Sequence, residues 1–275
     1  MGLRVNTNVP SIHSQEVLRR NRLNLEQDSR AGSSGKRINE AADDAAGLSI
    51  SEYSRGKNVS LGQAIRNAND GVSVVQVAEG GMQEIGNILI RLKELSIQAA
   101  SATIGNTERG FIGMEVKQLK EQINNIAAST EFDNRKLLGM GMGDWDVQIG
   151  IDNTSNNRFS WSDLEATTKD LGVDWIDLSN IHSAQNSISA LDNALDKIVE
   201  QRTKVGGMQN RLQSVIRGGL ITDENQKATI SRIKDADIAK VSADLAKESV
   251  LNQSAISILA QANTSNEKAI KLLQL

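Results

Sequence analysis

The residues of this chain that could bind a metal or carry catalysis are few and scattered. The two histidines, His13 and His182, lie far apart in the sequence, so no metal site is predicted. Pairs of aspartates occur at positions 43/44 and 235/237. Side chains one or two positions apart on a helix do not share a face, so neither pair suits general acid/base catalysis. We interpret both pairs as charge on helix surfaces.

Phosphate binding and nucleophilic catalysis find no support either. The glycine run at 139–143 lacks the lysine and the spacing of a phosphate-binding loop. Arg19, Arg20 and Arg22 form a basic cluster without interleaved aromatic residues, in a chain whose net charge is −3, which argues against a nucleic-acid partner. The absence of cysteine excludes disulfides, iron–sulfur clusters and a cysteine nucleophile. The sequence therefore predicts no enzyme and no cofactor.

Long helices account for most of the sequence pattern. The only proline among 275 residues is Pro10, and proline is the residue that breaks helix interiors. Apolar residues over 61–92 follow steps of three and four, a heptad-like seam typical of a coiled coil. The Asn-Asp-Gly sequence at 69–71 is typical of a turn, but the long seam favours one uninterrupted helix. Similar stripes occur over 112–126, 181–198 and 238–262.

One segment between these helices has a different character. Glycines and all three tryptophans cluster between 139 and 177. Apolar and polar residues alternate over 145–151, turn-forming residues occupy 152–157, and extended character resumes at 158–161, a pattern typical of a β-hairpin. The predicted fold is mainly α, with long antiparallel coiled-coil-like helices forming a rod and a small β-hairpin insert.

The two ends of the chain have an unusual pattern for a monomer. Apolar residues form only a thin stripe over 15–50, and residues 249–266 carry no charge. A helix with so little charge around its circumference needs partners on more than one side. Periodicity alone leaves open whether the ends pack on each other within one chain or are buried between chains.

Membrane insertion is not predicted. The uncharged segment 249–266 contains ten polar residues, too many for hydrocarbon. The first 25 residues contain no apolar run of the length that a secretory signal needs. Composition alone would therefore place the protein in the cytoplasm.

Several segments near both ends resemble the terminal regions of bacterial flagellins. They are VNTN at 5–8, SSGKRIN at 33–39, DDAAG at 43–47, RNANDG at 66–71, SRIKDAD at 231–237 and ILAQAN at 258–263. The similarity covers about residues 1–138 and 181–275. Because only a short segment lies between them, the chain resembles a minimal flagellin.

This resemblance implies a structural subunit that self-assembles into the filament of the bacterial flagellum, a homopolymer used for swimming. It implies an inner filament-core domain of residues 1–45 plus 236–275 and an outer rod-like domain of residues 46–138 plus 181–235, with 139–180 as its hairpin insert. The implied assembly seam consists of Leu18, Leu25, Ile238, Val241, Leu245, Ile256 and Leu259.

The resemblance also implies a location and a set of partners. The chain would leave the cell unfolded through the flagellar type III system, which replaces the cytoplasmic interpretation. Its partners would include an export chaperone that holds residues 236–275, the filament cap and the hook-junction proteins.

One helix is similar to the segment by which flagellins are recognised by the animal Toll-like receptor 5. The residues carried over are Arg91, Leu95 and Glu115. We expect Leu95 to share the outward side of the helix with Arg91, because it lies four positions further on. An alternative is that these three residues serve contacts between subunits.

Two other functions remain open at this stage. A hook–filament junction protein would share the terminal helices. A cytoplasmic helical adaptor would bind partners through its heptad seams, would have ordered ends as a monomer and would not polymerise.

Overall fold

The computed structural model describes residues 7–139, 145–161 and 164–273, with side chains described up to residue 265. Most of the glycine run at 139–143 lies outside these residues. The helices are α1 (Val9–Ser34), α2 (Ala45–Ala99), α3 (Asn106–Ser129), α4 (Thr168–Leu171), α5 (Ile181–Lys234) and α6 (Ile238–Leu273). The strands are β1 (Glu131–Phe132), β2 (Arg135–Lys136), β3 (Trp145–Gln148) and β4 (Arg158–Trp161). A mainly α fold with a small β insert is thus confirmed.

Helix α2 is a single helix of 55 residues. The Asn-Asp-Gly sequence at 69–71 lies within it, so the prediction of an uninterrupted helix is confirmed. Every member of the seam over 61–92 is buried or half-buried. The continuous apolar stripe therefore outweighs the local turn preference, because burying one face of a long helix stabilises it more than a glycine destabilises it.

The chain divides into two compact units. Unit 1 comprises Met1–Asn58 and Glu224–Leu275, and unit 2 comprises Val59–Asp223. Unit 1 contains α1 and α6, which pack against each other. Pro10 lies in the first turn of α1, where its missing N–H is not needed.

The core of unit 2 is built from α2, α3, α5 and the segments between α3 and α5. Its largest fully buried side chains are Met82, Ile85, Leu89, Leu92, Leu95, Ile123, Leu137, Leu138, Leu164, Leu178 and Leu191. The side chains from α2 continue the predicted seam beyond Leu92. Unit 2 therefore has a closed apolar core within one chain.

The predicted β-hairpin is confirmed. Strands β3 and β4 are antiparallel, with Trp145 opposite Trp161 and Val147 opposite Phe159. The indoles of Trp145 and Trp161 stack with 5.6 Å between ring centroids and 11° between planes. Because both tryptophans lie on the buried face of the hairpin, they belong to the core.

A buried arginine shapes the loop between α2 and α3. The guanidinium of Arg109, 4% exposed, donates to the carbonyl oxygens of Ala99 and Ser101, both at 2.8 Å, and to Asn106 Oδ1 at 2.9 Å. The cation lies at the carboxyl end of α2, where unpaired carbonyls carry partial negative charge. Arg109 therefore caps the carboxyl end of α2, and its guanidinium is held by carbonyl oxygens and not by a carboxylate.

Candidate functional site: the terminal helix pair

Helices α1 and α6, which we call the terminal pair, run antiparallel along each other. At one end, Asn8 Nδ2 donates to the carbonyl oxygen of Ala262 at 3.1 Å, and Ser11 Oγ donates to Asn263 Oδ1 at 2.9 Å. At the other end, Gly32 lies against Val241. A Cβ added at Gly32 would lie 3.4 Å from Val241 Cγ1, an ordinary contact distance, so the two helices are within van der Waals reach of each other here.

The structure separates the residues of the predicted assembly seam into two groups. Leu18, Leu25, Val241, Leu245 and Leu259 are half-buried. Ile238 and Ile256, in contrast, are 52% and 44% exposed. One chain thus covers part of the seam and leaves two large aliphatic side chains in solvent.

Much of the remaining apolar surface of the terminal pair is uncovered. The exposed residues are Val9, Ile12 and Leu23 on α1 and Ile238, Val250, Leu251, Ile256 and Ile258 on α6. Among the described residues, the buried hydrophobic side chains of unit 1 are only those of Ala31, Ile38 and Ala255. Exposed apolar surface of this kind marks an interaction site. The ends therefore pack on each other within one chain and still present apolar faces outward.

The aspartates at 43/44 organise the loop before α2, so their interpretation as helix-surface charge is wrong. Asp43 Oδ2 accepts hydrogen bonds from the backbone N–H groups of Asn39 and Glu40, both at 3.0 Å. The bonds from Glu40 and Asn39 lower the pKa of Asp43. Asp44 Oδ1 accepts from the backbone N–H of Gly47 at 2.8 Å and so caps α2.

The second pair lies between α5 and α6, so its interpretation as helix-surface charge is wrong as well. Asp235 forms an antiparallel backbone bridge with Lys36, whereas Asp237 caps a helix. Asp237 Oδ1 accepts hydrogen bonds from the backbone N–H groups of Ala239 and Lys240 in the first turn of α6. Helix α6 therefore begins with a side-chain cap from Asp237. Aspartate just before an apolar stripe is the signal that could have identified both caps from the sequence.

A side chain near the end of α5 forms an ion pair within unit 1. Lys234 Nζ lies 2.7 Å from Glu52 Oε1, and the Lys234 side chain is 17% exposed. Arg55 contacts the same carboxylate at 2.8 Å. The hydrogen bond from Lys234 is the main reason why the pKa of Glu52 is lowered.

The structure does not bring the three expected receptor-patch residues onto one surface. Arg91 Nη2 on α2 lies 2.9 Å from Glu115 Oε1 on α3, and both side chains are about half exposed. The hydrogen bond with Glu115 raises the pKa of Arg91. Leu95, however, is 2% exposed. Its expected outward position is wrong, because the buried face of α2 is wide enough here to include Leu95 and Ser96.

The other residues considered for chemistry are at the surface. His13 on α1 and His182 on α5 are exposed, and Arg19 pairs with Glu16 at 2.7 Å on the same helix. Within the described part of the chain, no group of three or more histidines and carboxylates is arranged to hold a metal ion. None of the described helices combines the length and apolarity that crossing a membrane requires.

Comparison with known proteins confirms that the terminal regions of this chain are similar to those of flagellins. The family model for the bacterial flagellin N-terminal helical region matches residues 5–140, and that for the bacterial flagellin C-terminal helical region matches residues 188–273. The chain is 35% identical to the flagellar filament core protein flaB2 of Brachyspira hyodysenteriae, and the alignment covers 98% of this chain and 99% of that protein. It is 34% identical to a flagellin of Halalkalibacterium halodurans with the same coverage.

Two solved structures are similar to this fold. The crystal structure of Bacillus cereus flagellin matches with a TM-score of 0.51 and 27% identity, over 56% of this chain and 88% of that one. A putative flagellar hook-associated protein from Vibrio parahaemolyticus has a TM-score of 0.56 and 12% identity, over 69% of this chain and 100% of that one, a likeness of fold alone. Both family models, full-length relatives above 30% identity and the paired terminal helices lead to one conclusion: the chain belongs to the bacterial flagellin family.

Proposed function

We propose that this protein is a structural subunit that polymerises into the filament of a bacterial flagellum, and that it is not an enzyme. The observation that carries the proposal is the terminal pair, whose exposed apolar side chains remain uncovered in one chain. Relatives named as flagellins and flagellar filament core proteins, aligned over nearly the whole chain, support the same function.

Assembly follows from the apolar surface of the terminal pair. Contact with further copies would remove the exposed faces of α1 and α6 from water, which is the main favourable term in protein association. When the contacting surfaces differ between neighbours and the rotation from one copy to the next does not close a ring, the contacts generate an open helical polymer. The uncharged segment 249–266 suits burial on several sides, since no charge there has to be desolvated.

The proposed domains keep the expected boundaries. Residues 1–45 plus 236–275 form the inner filament-core domain, residues 46–138 plus 181–235 form the outer domain, and 139–180 form its insert. Within the assembly seam, the half-buried residues hold α1 and α6 together. The exposed Ile238 and Ile256 contact neighbouring copies.

Further partners belong to the same proposal. The subunit is exported unfolded by the flagellar type III system and acts outside the cell. An export chaperone holds residues 236–275 before export, because this apolar helix would otherwise associate early. The filament cap and the hook-junction proteins contact the ends of the polymer. Deleting residues 236–275 should abolish co-purification with the chaperone, and retained binding would contradict this role.

The filament proposal can be tested with full-length purified protein. Seeded polymerisation would be followed by sedimentation and electron microscopy for the natural chain, for a chain lacking residues 1–45 and 236–275, and for two point variants. Ile256→Gln places a polar group on the exposed face of the terminal pair. Val199→Gln, also at an exposed aliphatic position but in unit 2, is the matched control.

We expect filaments from the natural chain and from Val199→Gln, few from Ile256→Gln and none from the truncated chain. A natural chain that stays monomeric under all seeded conditions, with protease-resistant ends, would favour the helical adaptor. Addition only to hook ends, without long polymers, would favour the junction protein.

A second candidate function is recognition by Toll-like receptor 5, supported by the exposed ion pair between Arg91 and Glu115. In this proposal Arg91 and Glu115 touch the receptor, whereas Leu95 acts from the core by holding α2 in place. Arg91→Ala should weaken signalling in receptor-expressing cells without unfolding unit 2. Arg55→Ala, at a more exposed arginine of unit 1, is the control. Unchanged signalling by Arg91→Ala would leave these residues to subunit contacts.

A further inference from the structure

Two polar residues interrupt the buried stripe of α6. Buried and half-buried positions of this helix recur in steps of three and four, the spacing of a face that packs on another helix. The residues at these positions, which we call the α6 stripe, are Val241, Leu245, Glu248, Asn252, Ala255, Leu259 and Ala262. A carboxylate and an amide therefore occupy two successive positions on the face that packs against α1.

Glu248 is buried and poorly compensated. Its side chain is among the buried polar ones, and its Oε2 atom has no hydrogen-bond partner within the described part of the chain. Its Oε1 atom lies 4.0 Å from Nζ of Lys247, whose side chain is 65% exposed. An ion pair of that length to an ammonium in solvent contributes little. Removing this carboxylate from water is therefore costly.

Asn252 adds a second uncompensated group four residues further along the α6 stripe. Its Oδ1 atom is buried and finds no donor among the described residues. A buried acceptor without a donor costs the free energy of its lost contact with water. The middle of the terminal pair thus contains two successive unfavourable layers.

Helix α1 does not compensate these layers. The contacts of Gly32 with Leu245 and of Ser11 with Asn263 align the half-buried Asp28 with the part of α6 around Leu245 and Glu248. Asp28 therefore adds a second negative charge to the same region of the pair, and like charges repel. Over the described residues of the two helices, no ion pair joins α1 to α6.

The apolar contacts within the terminal pair are too few to outweigh this cost by much. Leu25 on α1 and Leu245 and Leu259 on α6 are only half-buried, and the buried Ala255 contributes a single methyl group. Apolar burial stabilises in proportion to the area removed from water. Most of the apolar area that could stabilise the pair lies on its outer faces, which one chain leaves exposed.

We infer that Glu248 and Asn252 keep α1 and α6 from pairing stably in a free subunit. The pair closes when further copies cover its outer faces, because the added apolar burial then exceeds the cost of the two polar layers. This second step rests on the proposed filament function. The low stability of the pair in a free subunit is a property of a single chain and can be measured without a polymer.

Substitutions within the α6 stripe test the inference. Glu248→Leu makes the stripe apolar, and Glu248→Gln removes only the charge. The matched controls are Glu26→Leu and Glu26→Gln, which make the same changes at an exposed position of α1. Leucine, glutamine and glutamate have similar helix propensities, so a gain of helix in the Glu248 variants reports pairing of the two helices.

A second matched set addresses the amide. Asn252→Leu removes the unpaired acceptor, and Asn24→Leu, at an exposed position of α1, is its control. Full-length free subunits of all variants would be compared by far-ultraviolet circular dichroism and by limited proteolysis, with the cleavage sites mapped by mass spectrometry. Polymerisation without seeds would be followed by sedimentation and electron microscopy.

We expect rapid cleavage within residues 9–34 and 238–265 in the natural subunit and in the three controls. Cleavage there should slow severalfold in Glu248→Leu and Asn252→Leu and by a smaller factor in Glu248→Gln. The helix content of the free subunit should rise in the same order. Glu248→Leu should also polymerise without seeds at a severalfold lower concentration than the natural chain.

Three outcomes would overturn the inference. One is a free natural subunit whose ends resist protease as well as unit 2 does. Another is an unchanged cleavage rate in all variants of the α6 stripe. The third is weaker seeded growth of Glu248→Leu with unchanged ends, which would show that a neighbouring copy supplies a donor to this carboxylate. If protection rises as expected but no chain polymerises, the filament proposal fails and the inference about the free subunit stands.

Discussion

Unit 1 and unit 2 are both built from helices with apolar stripes, yet they differ in how completely one chain buries those stripes. In unit 2, Ile85 and Leu89 on α2 are fully enclosed by the same chain. In unit 1, Leu245 and Leu259 on α6 are half-buried, and Ile256 is in solvent. The same apolar periodicity thus produces a fully buried core in unit 2 and a partly exposed apolar surface in unit 1.

The difference indicates that folding stability comes mainly from unit 2, whereas contact with other copies is the role of the terminal pair. Burial of apolar area contributes about 25 cal/mol per Å², so unit 2 gains most of its stability without a partner. The terminal pair leaves part of its apolar area exposed, and contact with other copies can bury that area. Four predictions test this division, beginning with the largest expected effect.

Leu89→Ala should destabilise unit 2 by about 2 to 5 kcal/mol, because it leaves a cavity in a closed core. Leu245→Ala, at a half-buried seam position, should change the free energy of unfolding much less and should mainly slow polymerisation. Urea unfolding followed by circular dichroism, together with a sedimentation assay of assembly, measures both. Equal losses of folding stability would remove the distinction between the two regions.

Gly81→Ala should destabilise unit 2 by about 1 to 3 kcal/mol. A Cβ at Gly81 would lie 2.6 Å from Thr130 Oγ1 and 2.7 Å from Leu138 Cδ1, where the segment after α3 packs on α2. Gly80→Ala is the control, since a Cβ there meets nothing within 4 Å and should stabilise the helix by up to about 1 kcal/mol. Thermal unfolding of both variants measures this difference in stability. If Gly81→Ala is as stable as Gly80→Ala, the close packing of Thr130 and Leu138 against Gly81 is refuted.

Acid should loosen the linkers of unit 1. The pKa values of Glu52 and Asp43 are lowered in the folded chain, by the hydrogen bond from Lys234 and by backbone N–H groups respectively. Lowered carboxyl pKa values stabilise the fold above the unfolded-state pKa, about 4, and this contribution is lost as the pH falls through the folded-state values. The protection of backbone amides 35–44, expressed relative to the intrinsic exchange rate at each pH, should therefore fall in that range.

The variant Glu52→Gln tests whether protonation of Glu52 causes the loosening in acid. The variant should already exchange faster at neutral pH and should respond less to acid. If the natural chain and Glu52→Gln show the same pH profile, Glu52 has no part in the acid response, and the change must come from other groups.

The smallest effect on folding is expected at the exposed pair of Arg91 and Glu115. Arg91→Met should leave the unfolding midpoint close to that of the natural chain, because solvent and salt screen an ion pair of half-exposed side chains. Leu95→Ala, four residues further along α2, should lower the midpoint clearly, since Leu95 is buried. A reversal of this order would contradict the assignment of Leu95 to the core.

Much of the fold could be predicted where apolar spacing is long and regular. The uninterrupted α2 and the hairpin of β3 and β4 follow from periods of about 3.5 and 2 residues, because each period places apolar side chains on one face. The terminal pair as a candidate site was also visible, since the uncharged segment 249–266 signals unusual burial. Individual positions within these elements were harder: Leu95 was expected outside, and the aspartates at 43/44 were expected on a helix face.

The sequence by itself determined the helical class, the position of the β insert, the absence of cysteine chemistry and the resemblance of both ends to flagellins. Only the tertiary structure decided that the buried side of α2 includes Leu95 and that residues 35–38 pair with 233–236. The physical reason is that periodicity describes one helix at a time. Burial and backbone pairing depend on which distant segments meet, and the chain brings residues nearly 200 positions apart, such as Arg37 and Ile233, into contact.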